Sequence, residues 1–223
     1  MAIAVDASSS HAGAGAGTGS LTWAHTCTGS NLRLMVGVAI VHTTATVSGV
    51  TYNSDAMTDV VASARGGDNH IVHIWTLAAP DTGGAFNIVA TFSENVSLCD
   101  AGAVSLTGAS VMGATNTAVG SAGSPSVALT TTAVNSWIFS IVGGGNTDFS
   151  GTTGTNQTER WVRLDYSGSQ DCAGSTQTTT SITSYTQSWG GGQTWDIASA
   201  EVTPAAVATA GKFASNLGLM NVG

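Results

Sequence analysis

The stretch Leu32-Arg-Leu-Met-Val-Gly-Val-Ala-Ile-Val41 contains one polar side chain, Arg33, in ten residues. A strand with one solvent-facing side alternates apolar and polar residues. A nearly continuous apolar run of this length instead predicts a central strand that is covered on both faces. We therefore take residues 32–41 as the centre of a layered β structure.

Short strand-like segments surround this run on both sides. They alternate β-branched or aromatic residues with Ser, Thr or Gly, and no convincing helix precedes residue 204. This pattern predicts an all-β protein, a two-sheet antiparallel β-sandwich of jelly-roll type. The Asn53-Ser-Asp55 triplet predicts a hairpin turn, and residues 8–19 predict a flexible loop. The predicted strands are residues 2–5, 21–26, 32–41, 47–52, 56–61, 71–77, 86–92, 98–106, 126–131, 137–142, 159–164, 181–189 and 195–202.

The composition changes only near the end of the chain. We expect one β-sandwich domain over residues 1–204 and a C-terminal arm over residues 205–223, which is rich in Ala and Gly and loses the strand alternation. The arm is expected to contact a partner through Phe213, Leu217, Leu219 and Met220. The alternative is a strand or loop that packs on its own domain.

Charge is scarce in this sequence. Charged residues make up 8% of the chain, the net charge is −8, and Lys212 is the one lysine. Nucleic-acid binding depends on clustered Lys and Arg, so the composition argues against it, and against anionic membranes as well. No run of about 18 apolar residues predicts a membrane span. The N-terminal MAIAVD lacks the positive region of a secretion signal, so we expect synthesis in the cytoplasm.

The three cysteines, Cys27, Cys99 and Cys172, are odd in number and widely spaced. They cannot form a disulfide framework, and a reducing cytoplasm keeps thiols reduced. We expect free thiols that are buried or half-buried. Pairing of two of them is the alternative.

The histidines do not predict a metal site. His70 and His73 are three positions apart on a predicted strand, so their side chains point to opposite faces and cannot share one ion. His25 and His42 belong to separate segments with no ligand pattern near them. The Gly143-Gly-Gly-Asn-Thr-Asp148 loop is similar to one calcium-binding repeat but occurs once. We expect no metal and no cofactor.

Catalytic motifs are also missing from the sequence. No Gly-x-Ser-x-Gly elbow, P-loop or dinucleotide fingerprint occurs, and the cysteines lack the local signatures of catalytic thiols. Acidic residues at predicted turns and strand ends are usual turn formers. We expect no catalytic residues and no enzymatic activity. These acidic residues are Asp55, Asp59, Asp68, Asp81, Glu94 and Asp100.

Six tryptophans are the remaining candidates for ligand contact. Five lie within alternating strand patterns, where a core position is the expected one. Trp189 and Trp195 flank a Gly-rich loop and are the candidates for stacking on a sugar ring. We expect core packing for both, and sugar contact is the alternative.

Several segments together resemble a family of small all-β proteins of tailed phages, which also occur as modules in bacterial surface proteins. The resemblance covers residues 2–204, and the motifs belong to strands and turns. Ser54 departs from it, because relatives carry a turn glycine there. The matching segments are LTWAHT (21–26), NLRLMVGVA (31–39), VSGVTYN (47–53), AMT (56–58), IWTLAAPDTG (74–83), NIVATFS (87–93), GAVSLTG (102–108), SPSV (124–127) and AEVTP (200–204).

The resemblance implies a virion structural protein, a capsid decoration (cement) protein that binds and stabilises the outer surface of a phage head. Its partners would then be the major capsid protein or other virion proteins, and its location the capsid surface. The low charge content predicts symmetric self-association, which we expect to give a homotrimer. The alternative is a carbohydrate-binding or receptor-binding fibre or adhesin module.

Overall fold

The computed structural model describes residues 1–13, 17–145, 148–164, 170–191 and 193–206, except for the side chain of Asp68. The strands pair antiparallel throughout these residues, which confirms the all-β prediction. A 3₁₀ turn covers Gly67–Asn69. The strands are β1 Ala4–Ala12, β2 Thr18–Thr26, β3 Arg33–Val41, β4 Val47–Tyr52, β5 Asp55–Ala56, β6 Thr58–Ala62, β7 His70–Ala78, β8 Ala85–Val96, β9 Leu98–Thr107, β10 Ala109–Gly120, β11 Ser126–Thr130, β12 Trp137–Gly144, β13 Gln157–Leu164, β14 Asp171–Thr178, β15 Ser184–Ser188 and β16 Trp195–Pro204.

These strands form four sheets. Sheet I has the order β1-β9-β3-β7-β6, sheet II β2-β8-β4-β5, sheet III β10-β16-β12-β14-β13 and sheet IV β11-β15. Three apolar cores separate them: one between sheets II and I, one between sheets I and III, and one between sheets III and IV. The sheets therefore stack in the order II, I, III, IV, and the described residues form a sandwich of more than two layers.

Strand β3 explains the additional layers. Leu34 and Val36 point into the core shared with sheet II, whereas Met35 and Ala39 point into the core shared with sheet III. The predicted burial of both faces is confirmed, because eight of the nine positions in this strand are buried. A sheet that is apolar on both faces needs a cover on each side, so the number of sheets exceeds the two predicted.

Two strands escaped prediction because their residues are small and polar. Strand β14 is buried from Asp171 to Gln177 in spite of its Ser and Thr content. Its hydroxyl groups are paired with side chains of the neighbouring strand β13: Ser175 accepts from Gln157 Nε2 at 2.9 Å and Thr176 from Arg160 Nε at 2.7 Å. Strand β10 is also rich in Ala, Gly and Thr, and seven of its twelve positions are only partly buried.

The predicted loop over residues 8–19 is wrong at both ends. Thr18 and Gly19 already belong to β2. Residues 8–12 continue strand β1 and pair with β9, with Ser8 opposite Val104 and Ser10 opposite Gly102. The predicted hairpin turn is confirmed: Asn53 and Ser54 both have positive φ (48° and 74°) and join β4 to β5. These signs are those of a type I′ turn, which Ser54 adopts where glycine would be less strained.

In the described part of the chain, no helix is long and apolar enough to cross a membrane.

Candidate functional site

The two candidate sugar-contact tryptophans are buried, as the favoured core interpretation predicts. Trp189 is 1% exposed and Trp195 is 9% exposed, and both pack with Phe149 in the core between sheets III and IV. The Trp195 indole donates a hydrogen bond to the carbonyl of Ala122 at 3.2 Å and covers Gly120. Neither ring offers a free face for stacking, so the carbohydrate-binding alternative lacks the aromatic platform on which it was based.

The four arm residues, Phe213, Leu217, Leu219 and Met220, lie outside the described residues, and their contact role stays a prediction. The structure describes residues 205 and 206, the first two of the predicted arm. The amide of Ala205 donates to Gly108 at 2.8 Å, and its carbonyl accepts from the N-terminal ammonium of Met1 at 3.0 Å. Residue 205, the first of the predicted arm, therefore lies beside the N-terminus.

Two histidines make side-chain pairs of the kind that catalytic sites use. His73 Nε2 lies 2.7 Å from Asp59 Oδ1, and His25 Nδ1 lies 2.8 Å from Ser9 Oγ. Burial lowers the pKa of His25 to about 4, partly offset by the charge of Asp6, so the ring is neutral at pH 7. A base this weak is poorly matched to general-base work near neutral pH.

The surroundings of Ser9 favour a structural role for this pair. Ser9 Oγ also accepts a hydrogen bond from Trp23 Nε1 at 3.1 Å, and His25 Nε2 is buried without a hydrogen-bond partner among the described residues. A serine nucleophile needs a base that a third group orients. No group of three or more His, Cys, Asp or Glu residues that could hold a metal occurs in the described parts of the chain.

The acidic residues at turns behave as turn formers. Asp81 Oδ2 accepts from Asn53 Nδ2 at 2.7 Å, and Glu94 Oε1 accepts from Thr44 Oγ1 at 2.7 Å. Asp55 is exposed in the β4–β5 hairpin, and Asp100 is buried in β9. The hydrogen bonds of Asp81 and Glu94 tie each carboxylate to a turn or loop side chain, which is the role of a turn former.

Glu201 is a buried carboxylate that the sequence analysis did not single out. It is fully buried and accepts hydrogen bonds from the amide and hydroxyl of Thr132 (2.8 Å for each to Oε2) and from Ser136 Oγ at 2.6 Å. The amides of Ala133 and Ala114 add bonds of 3.1 and 3.0 Å. Burial raises the pKa of Glu201, but these hydrogen bonds outweigh it and lower the pKa below its usual value. The carboxylate joins β16 to β10 and to the turn before β12.

Asp6 makes a smaller version of the same arrangement near the other end of the chain. Its carboxylate accepts from the amide and hydroxyl of Thr28 and from Ser105 Oγ, the last at 2.7 Å. Burial raises the pKa of Asp6, and the hydrogen bonds from Thr28 and Ser105 lower it further than burial raises it. Like Glu201, Asp6 is a structural carboxylate.

Asp196 is also buried, but its pKa is raised, whereas those of Glu201 and Asp6 are lowered. Its side chain is fully buried, and neither carboxylate oxygen has a well-formed hydrogen bond from the described residues. The closest amide, that of Gly66, donates to the carbonyl of His70 at 3.1 Å. Burial raises the pKa of Asp196 to about 8, although the Gly66 amide and the Arg65 charge oppose the rise. The group is therefore largely protonated at pH 7.

The three cysteines are free and buried. Burial raises the pKa of each thiol, to about 12 for Cys99, where the charge of Asp100 contributes as well. The thiolate is the reactive form of cysteine, so these groups are chemically quiet at neutral pH.

Two open grooves, of about 590 and 380 Å³, lie on the surface. The larger one is lined by Met1, Ile3, Val134 and Trp137 together with small polar residues. The smaller one contains Arg33, whose guanidinium is bound to the carbonyl of Ser110 and to Thr76 Oγ1. Neither groove brings an acid and a base together.

The two outermost sheets present surfaces of a different kind. We define face II as the outward residues of the paired segments 22–26 of β2 and 85–89 of β8 (Thr22, Ala24, Thr26, Ala85, Asn87 and Val89) and face IV as those of β11 and β15 (Ser126, Ala128, Thr130, Ser184, Thr186 and Ser188). These residues are exposed, apart from Val89 and Ser188, which are half-buried. None is ionisable. Two exposed acidic residues of sheet II, Glu94 on β8 and Asp55 on β5, lie outside face II. The alternation of the face residues was visible in the sequence, but which sheets lie outermost was not.

A comparison of the chain with known protein families, with curated proteins and with solved structures finds no match.

Proposed function

We propose that this protein is a non-enzymatic virion structural protein, a decoration protein that binds the outer surface of a phage head through faces II and IV. The observation that carries the proposal is the absence of ionisable groups from both faces in a chain of net charge −8. Surfaces of soluble domains usually carry interspersed charges of both signs, which favour solvation over association. Two broad faces without them are suited to being covered.

The chemistry of these faces fits a protein partner. Burying an unpaired charge is costly, whereas Ser and Thr hydroxyls can exchange water for a partner's backbone groups at small cost. Faces made of hydroxyl, methyl and amide groups can therefore be desolvated over a wide area. Exposed Val111, Val134 and Ile182 (52–60% exposed) add apolar surface elsewhere on the molecule.

The connectivity of the first half supports the proposal further. The order β1-β9-β3-β7 in sheet I faces β2-β8-β4-β5 in sheet II, so successive strands cross between two sheets. We take this as the jelly-roll order, a fold that viral capsid and lectin domains use. The family resemblance over residues 2–204 points to the same class of protein.

Under this proposal the genome that carries this gene also encodes a major capsid protein, and empty capsids assembled from that protein provide the test. We expect the protein to co-sediment with these capsids and to raise their melting temperature. The variant Ala24→Lys/Ala128→Lys places one charge on each face and should abolish binding. Ser121→Lys, at an exposed loop position, is the matched control and should bind normally. Failure of the unmodified protein to bind, or normal binding by the double variant, would refute the proposal.

A further inference from the structure

We infer that the chain is an internal duplication: residues 4–107 and 109–204 are two copies of one module, packed about a two-fold axis that passes between β3 and β12. The inference rests on strand order, register and packing, and it does not depend on the proposed function. Its consequence for binding, that the docking face is present twice, does rest on that proposal.

The strand orders of the two halves are the same. In sheet I the strands read β1-β9-β3-β7-β6, and in sheet III they read β10-β16-β12-β14-β13. Taking each half in chain order, β1 corresponds to β10, β3 to β12, β6 to β13, β7 to β14 and β9 to β16. The pair β2-β8 of sheet II corresponds in the same way to the pair β11-β15 of sheet IV. Repetition of a whole strand order is the structural signature of an internal repeat.

The pairing registers agree residue by residue. Ala39 on β3 is opposite Asp100 on one side and Val72 on the other. Its counterpart on β12, Gly143, is opposite Asp196 and Cys172. Aligning β3 with β12 therefore also aligns the two neighbouring strands, one on each side. In this alignment Asp196 occupies the position of Asp100.

The irregularities of the sheets also repeat. The β6–β7 ladder is interrupted between Asp59 and Val61, and the β13–β14 ladder between Glu159 and Trp161, the corresponding residues. Bulges are features that families keep, and a shared one is evidence of common construction. Two positive φ angles agree as well: Asn31 (49°) and Asn135 (58°) each lie two residues before the corresponding strands β3 and β12.

The packing between the halves has the form of a two-fold interface. On a two-fold axis each residue meets its own counterpart. Gly37 corresponds to Ile141, and a Cβ added to Gly37 would lie 2.7 Å from Ile141 Cδ1. Ala39 corresponds to Gly143, and a Cβ added to Gly143 would lie 3.2 Å from Ala39 Cβ. At both places a small residue faces its larger counterpart.

The second copy is incomplete in the region that corresponds to β4 and β5. No strand is assigned to the described residues between β12 and β13, but an isolated bridge joins Thr153 to Trp189. The equivalent pair in the first copy is Val50 with Ala90, within the β4–β8 ladder. The bridge therefore stands where β4 pairs in the complete copy.

The duplication gives faces II and IV matching residues. Ala24 corresponds to Ala128, Thr26 to Thr130 and Thr22 to Ser126, all exposed. Sheets II and IV are the two ends of the stack, so the faces point away from each other. A molecule built in this way can hold two like partners, one at each end, and it gains avidity on a capsid where it lies between two subunits that contact it from opposite sides.

The axis is tested by exchanging the two residues that meet on it. Gly37→Ile overfills the interface, and Ile141→Gly leaves a cavity, so each single variant should lower the melting temperature by roughly 10 °C. In the double variant Gly37→Ile/Ile141→Gly the halves exchange roles. We expect it to recover more than half of the summed loss.

The matched control exchanges a small and a large residue that touch across the same interface without being counterparts. Gly102 lies against the Trp161 ring, with 2.2 Å between an added Cβ and Cε2. The variant Gly102→Trp/Trp161→Gly should show no recovery over its single variants. Additive losses at Gly37 and Ile141 would overturn the duplication, and equal recovery in both pairs would overturn it too, because it would reflect a merely tolerant interface.

The second arm of the experiment tests the paired faces on the empty capsids. Ala24→Lys and Ala128→Lys, made separately, should each weaken apparent affinity at least roughly tenfold by removing avidity. Unchanged binding by either single variant would overturn the two-site inference. If the unmodified protein fails to bind, the proposed function falls, whereas the Gly37 and Ile141 exchange still decides the duplication.

Discussion

Glu201 occupies in the second half of the molecule the carboxylate position that Asp6 occupies in the first, although the two residues lie on different strands of the repeat. Glu201 corresponds by register to Ser105, and Asp6 corresponds to Gly113. A Cβ added to Gly113 would lie 2.2 Å from Glu201 Oε2, so the Glu201 side chain fills the space that Asp6 fills in the first half. The donors are equivalent too: Thr28 serves Asp6 and Thr132 serves Glu201, each through its amide and its hydroxyl.

This relationship predicts that the carboxylate can be supplied from either strand. Glu201→Ser leaves several buried donors without an acceptor and should lower the free energy of unfolding by about 3 kcal/mol. Adding Gly113→Asp restores the arrangement of the first half and should recover at least half of that loss. Urea unfolding of the single and double variants measures both values.

The control for this exchange is Glu201→Ser combined with Gly113→Asn. The asparagine amide presents a donor where an acceptor is needed, so it should recover less than aspartate does. Equal recovery by both, or no recovery by aspartate, would show that the two carboxylate positions are not interchangeable.

Asp196 should make the protein less stable as the pH rises. Its folded pKa is about 8, whereas the unfolded carboxyl titrates near 3.8. Between these values the folded state binds more protons than the unfolded state, so the free energy of unfolding falls with increasing pH and levels off above pH 8. Asp196→Asn removes this term and should stabilise the protein at pH 8 by on the order of a few kcal/mol.

Urea unfolding at pH 5, 6, 7 and 8 checks this expectation. The slope of stability against pH should be reduced in Asp196→Asn and unchanged in Asp55→Asn, a carboxylate exposed in the β4–β5 hairpin. Parallel curves for the unmodified protein and Asp196→Asn would contradict the assignment.

The three thiols should resist modification in the native state. Cys27, Cys99 and Cys172 are buried and their pKa values are raised, so both access and thiolate content are low. We expect less than one equivalent of Ellman's reagent to react per chain within minutes at pH 8, and three equivalents after unfolding in urea. Rapid native labelling of any one cysteine would be inconsistent with its burial.

The arm should serve assembly rather than folding. Truncation after Ala206 keeps the hydrogen bonds of Ala205 with Gly108 and Met1. The truncated protein should keep its circular dichroism spectrum and melting temperature, while its self-association and capsid binding weaken, because each large apolar side chain lost removes about 1.5–3 kcal/mol of gross burial energy.

Point variants separate the apolar contacts from the length of the arm. Phe213→Ser/Leu217→Ser in the full chain should weaken assembly as the truncation does, and Asn216→Ser is the matched control. An unfolded truncated protein would show that the arm belongs to the domain. Normal assembly by the truncated protein or by the Phe213 and Leu217 variant would show that it is dispensable.

The sequence by itself determined the class of fold and most of its strands. Successive side chains of a strand point to opposite faces, so the spacing of apolar residues along the sequence indicates which faces are buried. The strand through Leu34 and Val38 and the apolar faces of β2 and β8 could therefore be predicted from their own segments. The turn at Asn53 could be predicted in the same way from its turn-forming residues. The scarcity of charge likewise argued against nucleic-acid binding without reference to coordinates. Strands β10 and β14 could not be recognised, since small polar residues carry no alternation and are buried only because neighbouring strands satisfy them.

The tertiary structure alone decided how many sheets exist, which faces remain outside and which residues meet. Burial of Trp189 and Trp195 depends on sheet IV lying over sheet III, and a pattern within either segment cannot report that. The hydrogen bonds of Asp6 reach residues that are 22 to 99 positions away in the sequence. Those of Glu201 reach residues that are 65 to 87 positions away. The repeat was hidden because register and packing keep backbone positions equivalent while side chains diverge, as Gly37 and Ile141 do. The equivalent backbone positions can be recognised only by comparing the strand pairings of the two halves.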